Sequence, residues 1–363
     1  RNTDLFDQLV SNNSMQNHSL SISAGTEKSQ HYVSLSLMDD KGWYKQSSVS
    51  RYTLNVNSTF HFSDKVRLQL IGNASTLKQN APVTLNQEIN LVNGEVTRAF
   101  DINPYSYSLN TSRVLDPNEF YTRNFSSFNI FHELDNNYIN LNTYEFRIQA
   151  LLSYKPIAGL ELTALGAYKR SSSTSEHNVT ENSNQANAYR AMDNTIIRDL
   201  NPYLWTDPND PYAVPISVLP KGGIQDVTNY RMNSWDFRAT AQYNRTFADK
   251  HLVNLFGGLE VNSVERNSSW MRAWGVEYEF GNIGNFNDDM LDKLKTEGSD
   301  YYRLTNGLDR TAAFFANATY AFDGRYIVNG TIRYEGTNTL GKERKSRWLP
   351  TWNVSAAWNA HDE

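Results

Sequence analysis

Thr143-Tyr144-Glu145-Phe146-Arg147-Ile148-Gln149-Ala150-Leu151-Leu152-Ser153-Tyr154 alternates with a period of two. One parity carries Tyr144, Phe146, Ile148, Ala150, Leu152 and Tyr154; the other carries Glu145, Arg147, Gln149, Leu151 and Ser153. A helix would mix the two sets on every face, so the stretch reads as a strand with one apolar and one polar side. The same split recurs where Trp235, Phe237, Ala239, Ala241 and Tyr243 alternate with Asp236, Arg238, Thr240, Gln242 and Asn244, and again from Tyr326 to Tyr334.

Extending this reading outward predicts eleven strands, at about 17–25, 30–39, 49–60, 65–75, 143–154, 159–169, 231–247, 251–262, 310–322, 325–336 and 348–359. Most run to about 9–13 residues, longer than the usual five or six and close to the roughly 9–11 that a tilted strand needs to cross a bilayer. Short links (26–28, 61–64, 155–158, 248–250, 323–324) alternate with longer ones (40–48, 76–142, 171–230, 263–309, 337–347). The short links carry turn residues such as Ala248-Asp249-Lys250 and Asp323-Gly324. In a meander, alternate links fall on opposite rims, so one rim collects the tight turns and the other the long loops. Outer-membrane barrels have that asymmetry. The expected fold is therefore all-β: an antiparallel up-and-down transmembrane β-barrel with long extracellular loops.

Charge fixes which face meets lipid. Arg51, Arg67, Glu145, Arg147, Glu161, Asp236, Arg238, Glu260 and Arg333 share the polar parity of their strands. An arginine at the middle of the lipid costs roughly 2–4 kcal/mol, and nine charges on the wrong side would exceed the roughly 5–15 kcal/mol stability of a domain. They are expected to face a polar bore. Arg231, Arg245 and Arg310 break parity and are read as strand-end residues that snorkel. With 34 basic and 39 acidic residues and no basic block, nucleic acid is not an expected partner. The absence of cysteine excludes disulfides and thiolate chemistry. The opening Arg1-Asn2-Thr3-Asp4 reads as the interior of a longer polypeptide.

The long links hold the remaining signals. Ser171-Ser172-Ser173-Thr174-Ser175 and the polar residues after it read as a flexible loop tip. Trp205-Thr206-Asp207-Pro208-Asn209-Asp210-Pro211-Tyr212 reads as a turn-rich packed loop; calcium would need six to eight oxygens in a cage, and no EF-hand spacing supplies them. No cofactor is expected. Residues 286–301 read as a short surface helix capped by Asp288 and Asp289. No enzyme chemistry is expected: after His132-Glu133, Asn136 stands where a zincin would place its second histidine, and no nucleophile elbow or phosphate loop occurs. Tyr203, Trp205, Trp270 and Trp274 are candidate substrate contacts near the long-loop rim, while Trp348, Trp352 and Trp358 fit an interfacial girdle.

Two stretches resemble SusC-like TonB-dependent transporters. One is Asn17-His18-Ser19-Leu20-Ser21-Ile22-Ser23-Ala24-Gly25 with Tyr32-Val33-Ser34-Leu35-Ser36-Leu37, Gly42 and Arg51-Tyr52. The other is Asp323-Gly324-Arg325-Tyr326, then Arg333-Tyr334-Glu335-Gly336-Thr337-Asn338, Leu340-Gly341, Arg347-Trp348-Leu349-Pro350-Thr351 and Trp358. Glu335, Thr337-Asn338, Leu340 and Leu349-Pro350-Thr351 are conservative departures from the family pattern. The resemblance implies a Bacteroidetes outer-membrane barrel of roughly 22 strands around a plug, capped by a SusD-like lipoprotein. It further implies import of oligosaccharides or peptides with energy delivered by TonB. On that basis residues 1–363 are expected to be a partial barrel domain of about half the strands, with the plug, the TonB box and the C-terminal strands outside it.

The resulting expectation is an outer-membrane active importer. Arg51, Arg147, Arg238 and Arg333 would contact plug or substrate, or form interior ion pairs. The rival readings are a soluble extracellular all-β carbohydrate-binding protein, a barrel enzyme and a passive porin.

Overall fold

The computed structural model describes residues 2–83, 88–89, 96–97, 102–341, 343 and 347–360. Eleven long strands follow one another: β1 (Met15–Gly25), β2 (Ser29–Asp40), β3 (Ser48–Ser63), β4 (Val66–Pro82), β5 (Asn137–Tyr154), β6 (Leu160–Val179), β7 (Gly223–Phe247), β8 (His251–Glu277), β9 (Tyr302–Phe322), β10 (Tyr326–Thr337) and β11 (Trp348–Trp358). Each pairs antiparallel with the next, so a single sheet runs in sequence order from β1 to β11. A short strand, Ile283–Gly284, adds to the edge of β8.

The tight links lie where turn chemistry placed them. Thr26 Oγ1 accepts from the backbone of Lys28 and Ser29. Ala248 and Asp249, and likewise Asp323 and Gly324, take positive φ, which matches the hairpin twist of the flanking strands. Parts of the opposite links, within 83–136 and 338–347, lie outside the described residues.

The apolar parity is uncovered. Tyr144, Phe146, Ile148, Leu152 and Tyr154 are 43–55% exposed, and Trp235, Phe237, Phe314, Ile332, Trp352 and Val354 are likewise open on the same face. Among the described residues no second layer packs on this row, and water would penalise so broad an apolar surface. The band has membrane dimensions. The ten steps from Tyr154 to Tyr144 cover about 34 Å of strand, or about 25 Å after a tilt of about 40–45°, the height of an outer-membrane apolar belt. Aromatics rim it: Tyr168 and Trp235 pack with ring centroids 4.4 Å apart, and Trp348 stacks on Tyr334 at 4.9 Å, lying over Gly336, where a Cβ would come within 2.5 Å of the indole.

Several expectations need correction. The serine run is not a loop tip: β6 continues to Val179, paired on both sides. Residues 223–230, 263–277 and 302–309 are also strand, so β7 and β8 reach 25 and 27 residues. With only about 9–11 residues needed to cross, the sheet stands well above the lipid. As a result Arg231 and Arg310 are not strand-end residues; they sit within the ladder, Arg310 in the same row as Trp235 and Arg231 four residues further along β7.

Among the described residues a conventional core forms at the long-link rim, from the loops and the strand ends that carry them. Six short helices among the described residues, α1 (Leu5–Leu9), α2 (Pro104–Asn110), α3 (Ile130–Asn136), α4 (Asn184–Ala188), α5 (Thr195–Leu200) and α6 (Asp288–Glu297), lie at the long-link rim. None is long and apolar enough to cross a membrane. Leu9, Ile102, Phe128, Ile130 and Leu134 bury one another there, and Val218, Met290 and Leu294 pack with Tyr189, Trp205 and Trp274. The helix at 286–301 is present, but its cap is Asn287, which accepts from the Asp289 backbone; the acids occupy the first turn.

Candidate functional site

The inner face of the sheet is a hydrogen-bonded polar surface. Asn73 donates to Asn55 (2.7 Å) and Asn55 to Ser34 (3.2 Å), carrying a ladder across three strands. Further round, Thr163 and Thr240 hydroxyls meet at 2.6 Å. Side chains two residues apart share this face because the period is two, and hence the ladder repeats along the bore.

The predicted arginines fall on this surface, but the structure does not gather all four. Arg238 and Arg333 converge on one carboxylate, Glu260: Arg238 Nη2 donates at 2.8 Å, Arg333 pairs with the other oxygen, and Arg333 Nε also reaches Glu335 at 2.7 Å. Arg147 donates to Gln149 at 3.0 Å, beside the Glu145–Lys169 pair. Arg51 lies on the same inner face but apart from the others, exposed on β3 between Met38 and Leu77 of the neighbouring strands.

The aromatics do assemble, above the membrane. Trp205 and Trp274 pack in one cluster with Tyr189; Tyr189 lies 5.3 Å from Tyr203 and 5.5 Å from Trp274. Trp270 stands apart, with the guanidiniums of Arg272 and Arg303 at 5.7 and 5.8 Å from its ring, within cation–π range. In the acidic loop, Asp207 and Asp210 each accept a backbone N–H at 2.9 Å, from Asn209 and Tyr212. These are the side-chain turns of a packed loop.

Residues that periodicity overlooked join these parts. His177, Asp226 and Arg272 form one straight cross-strand row over β6, β7 and β8. Arg272 donates twice to Asp226 (2.6 and 2.7 Å), and His177 meets Asn137 at 2.7 Å. Burial alone would raise the Asp226 carboxyl, but the hydrogen bonds from Arg272 and His177 outweigh it and hold the group below the usual carboxylate range. The signal was present as inward parity continuing past Ser175, but register was needed to line the three up.

Glu133 is the second omission. On α3 it is 1% exposed and accepts the Asn184 backbone N–H at 2.6 Å, tying the 83–136 link to the 180–222 link. Burial pushes its carboxyl up to about 7. Arg190 braces the second link from within, donating to the carbonyls of Leu219 and Glu181 at 2.9 Å.

No protein-family model matches the chain. TonB-dependent receptor P26 of Formosa agariphila is 22% identical over 374 residues, covering 100% of this chain and 32% of the relative. TonB-dependent receptor P39 of the same organism is 28% identical over 125 residues, covering 33% of this chain and 11% of the relative. Among solved structures, the RagAB peptide transporter superposes with a TM-score of 0.67 at 14% identity, over 100% of this chain and 36% of that one. The RagAB importer in its open-open state gives 0.66, also at 14% identity, over 100% and 35%. The chain thus spans about a third of the length of the first relative. Along its whole length it is similar to Bacteroidetes TonB-dependent receptors, and its fold is that of their outer-membrane barrel wall.

Proposed function

We propose that the chain forms one side of the conduit of a TonB-energised importer in the bacterial outer membrane, working with a SusD-like surface lipoprotein. The observation that carries this reading is the two-faced sheet: an uncovered apolar belt of bilayer height outside, and a continuous amide, hydroxyl and ion-pair surface inside. A soluble carbohydrate-binding protein gains nothing from such a belt, and hydration would disfavour it. In this proposal residues 1–363 are part of a barrel domain, and the plug and TonB box belong to the rest of the polypeptide.

The substrate is an oligosaccharide or a peptide. Ser171, Ser173 and Ser175, together with Tyr230 and Trp270, have inward parity on the raised part of the sheet. Hydroxyls beside aromatic faces suit both substrate classes. Arg51, Arg147, Arg238 and Arg333 face the plug or the passing substrate. No bond is made or broken, which separates this reading from a barrel enzyme.

The test is uptake of labelled oligosaccharides and peptides by cells with and without the full-length receptor, with and without a protonophore. Receptor-dependent accumulation that collapses with the proton gradient is expected. Equal uptake in both energy states supports a passive porin instead, and substrate cleavage by the purified receptor supports an enzyme.

A further inference from the structure

The upper end of β8 has a gap along one edge. β9 pairs with it as far as Tyr302 opposite Met271, and the next strand on that side begins with Gly284 opposite Val276. The Arg272 backbone N–H donates to the Tyr301 carbonyl at 2.8 Å, and the Asn285 N–H donates to the Gly275 carbonyl at 2.7 Å. Between these two bonds, among the described residues, no strand lies beside Ala273 and Trp274 on this edge.

A pocket of about 270 Å³ opens at this gap, lined also by α6 and the 218–221 segment. Its lining is mainly apolar: Val218, Leu219, Met290 and Leu294 are buried and Trp274 adds its indole. Such a surface suits a hydrocarbon side chain and disfavours a sugar, whose hydroxyls would lose water without finding partners. The volume lies just under the roughly 300–1,000 Å³ of drug-sized ligand sites, so it holds the end of a chain rather than its length. Its charge has one sign. Lys221 and Arg272 are the charged side chains of the lining among the described residues, and both keep donors in reserve. Lys221 Nζ pairs with Glu277 at 2.7 Å, yet its side chain is 64% exposed, and an ammonium carries three donors. Arg272 gives Nε and Nη2 to Asp226, which leaves Nη1 without a hydrogen bond among the described residues. Arg272 and Trp274 have inward parity at the top of β8, which sets the pocket beside the entrance to the bore.

We propose that this pocket receives the apolar side chain at the carboxyl end of a peptide, with the terminal carboxylate on Lys221 and Arg272. Guanidinium and ammonium donors make short, charge-assisted hydrogen bonds to a carboxylate, and the amides of a peptide suit the open edge of β8. The assignment rests on the import reading above and narrows its substrate to peptides.

The experiment uses the purified full-length receptor in neutral detergent, with binding of N-terminally labelled tetrapeptides read by fluorescence polarisation. The probes are trialanyl-leucine as the free acid, the same peptide as its carboxyl-terminal amide, and tetra-alanine as the free acid. The leucine-ended acid is expected to bind at least about tenfold more tightly than its amide and than the alanine-ended acid. Leu291→Trp, which fills the pocket, should abolish both preferences. The paired change Lys221→Gln with Glu277→Gln should weaken the preference for acid over amide and keep the preference for leucine over alanine. Failure of either preference in the unmodified receptor overturns the proposal, as do preferences unchanged in Leu291→Trp or an acid preference unchanged in the paired variant. Competition by 4-methylpentanoate as effective as the peptide itself would show a site for small free acids and also overturn it. If Leu291→Trp does not fold, the three-peptide comparison and the paired variant still decide. Energised uptake without this binding pattern overturns the pocket and leaves import standing, whereas the pattern without energised uptake overturns import and leaves the pocket.

Discussion

Asp226 and Arg272 face each other across β7 and β8 and are joined by two parallel hydrogen bonds, 2.6 and 2.7 Å long. Arg272 also stands 5.6 Å from the Trp274 ring, so one side chain fixes both the row and the aromatic cluster above it. Arg272→Gln leaves a largely buried carboxylate with only His177 beside it. Hydrogen bonds to charged groups contribute roughly 1.5–3 kcal/mol; because Arg272 is 37% exposed, solvent screening reduces the expected loss to about 1–2 kcal/mol. The loss should be local, seen as faster hydrogen exchange in 180–222 and 278–301. Adding Asp226→Asn should recover part of it.

The burial of Glu133 beside Asn184 makes the rim sensitive to pH. A carboxyl raised from 4.5 to about 7 by burial binds its proton more tightly in the folded loop than in the unfolded one. Its stabilising contribution is complete below about 4.5 and is lost as pH rises through about 7. The full swing is roughly 3 kcal/mol. Limited proteolysis of the extracellular links should therefore be slower at pH 5 than at pH 8. Glu133→Gln should flatten the difference and protect the links at pH 8.

Parity can be tested one residue at a time. Ile148→Arg places a guanidinium on the outer belt and should cost roughly 2–4 kcal/mol, visible as loss of the folded, heat-modifiable band in outer-membrane preparations. Gln149→Arg, its neighbour on the bore side, should fold with near-normal yield. Equal damage from both would falsify the assignment of faces.

Glu260 holds two guanidiniums that are exposed to the bore. Exposed pairs contribute little to stability, about 0–1 kcal/mol, so Glu260→Gln should leave folding nearly intact. Freeing Arg238 and Arg333 should instead shift the channel of a plug-deleted receptor toward anions. Reversal potentials in planar bilayers measure this, and an unchanged potential counts against their facing the bore.

What could be read from the sequence follows from what each segment touches. Segments such as Thr143–Tyr154 divide two different solvents, so their hydropathy alternates, and all eleven strands and their order were legible. Ser171–Ser175 is wetted on both faces and carries no alternation, which is why the raised part of β6 read as a loop. Trp205 and Trp274 were visible as rim aromatics. That they form one cluster, while Trp270 pairs with arginines instead, depends on loop packing between distant segments. The His177, Asp226 and Arg272 row depends on register, and the burial of Glu133 depends on a neighbouring link 51 positions away.

The height of the sheet above the bilayer has a mechanical consequence. Between Trp235 and Gly223 the ladder to β6 and β8 continues almost unbroken, so this side of the entrance is a stiff parapet rather than a fringe of mobile chain. In the proposed importer, a surface partner that lands on a scaffold already locked by paired amides costs that scaffold little freedom, and its grip can then be weak enough to release on every cycle.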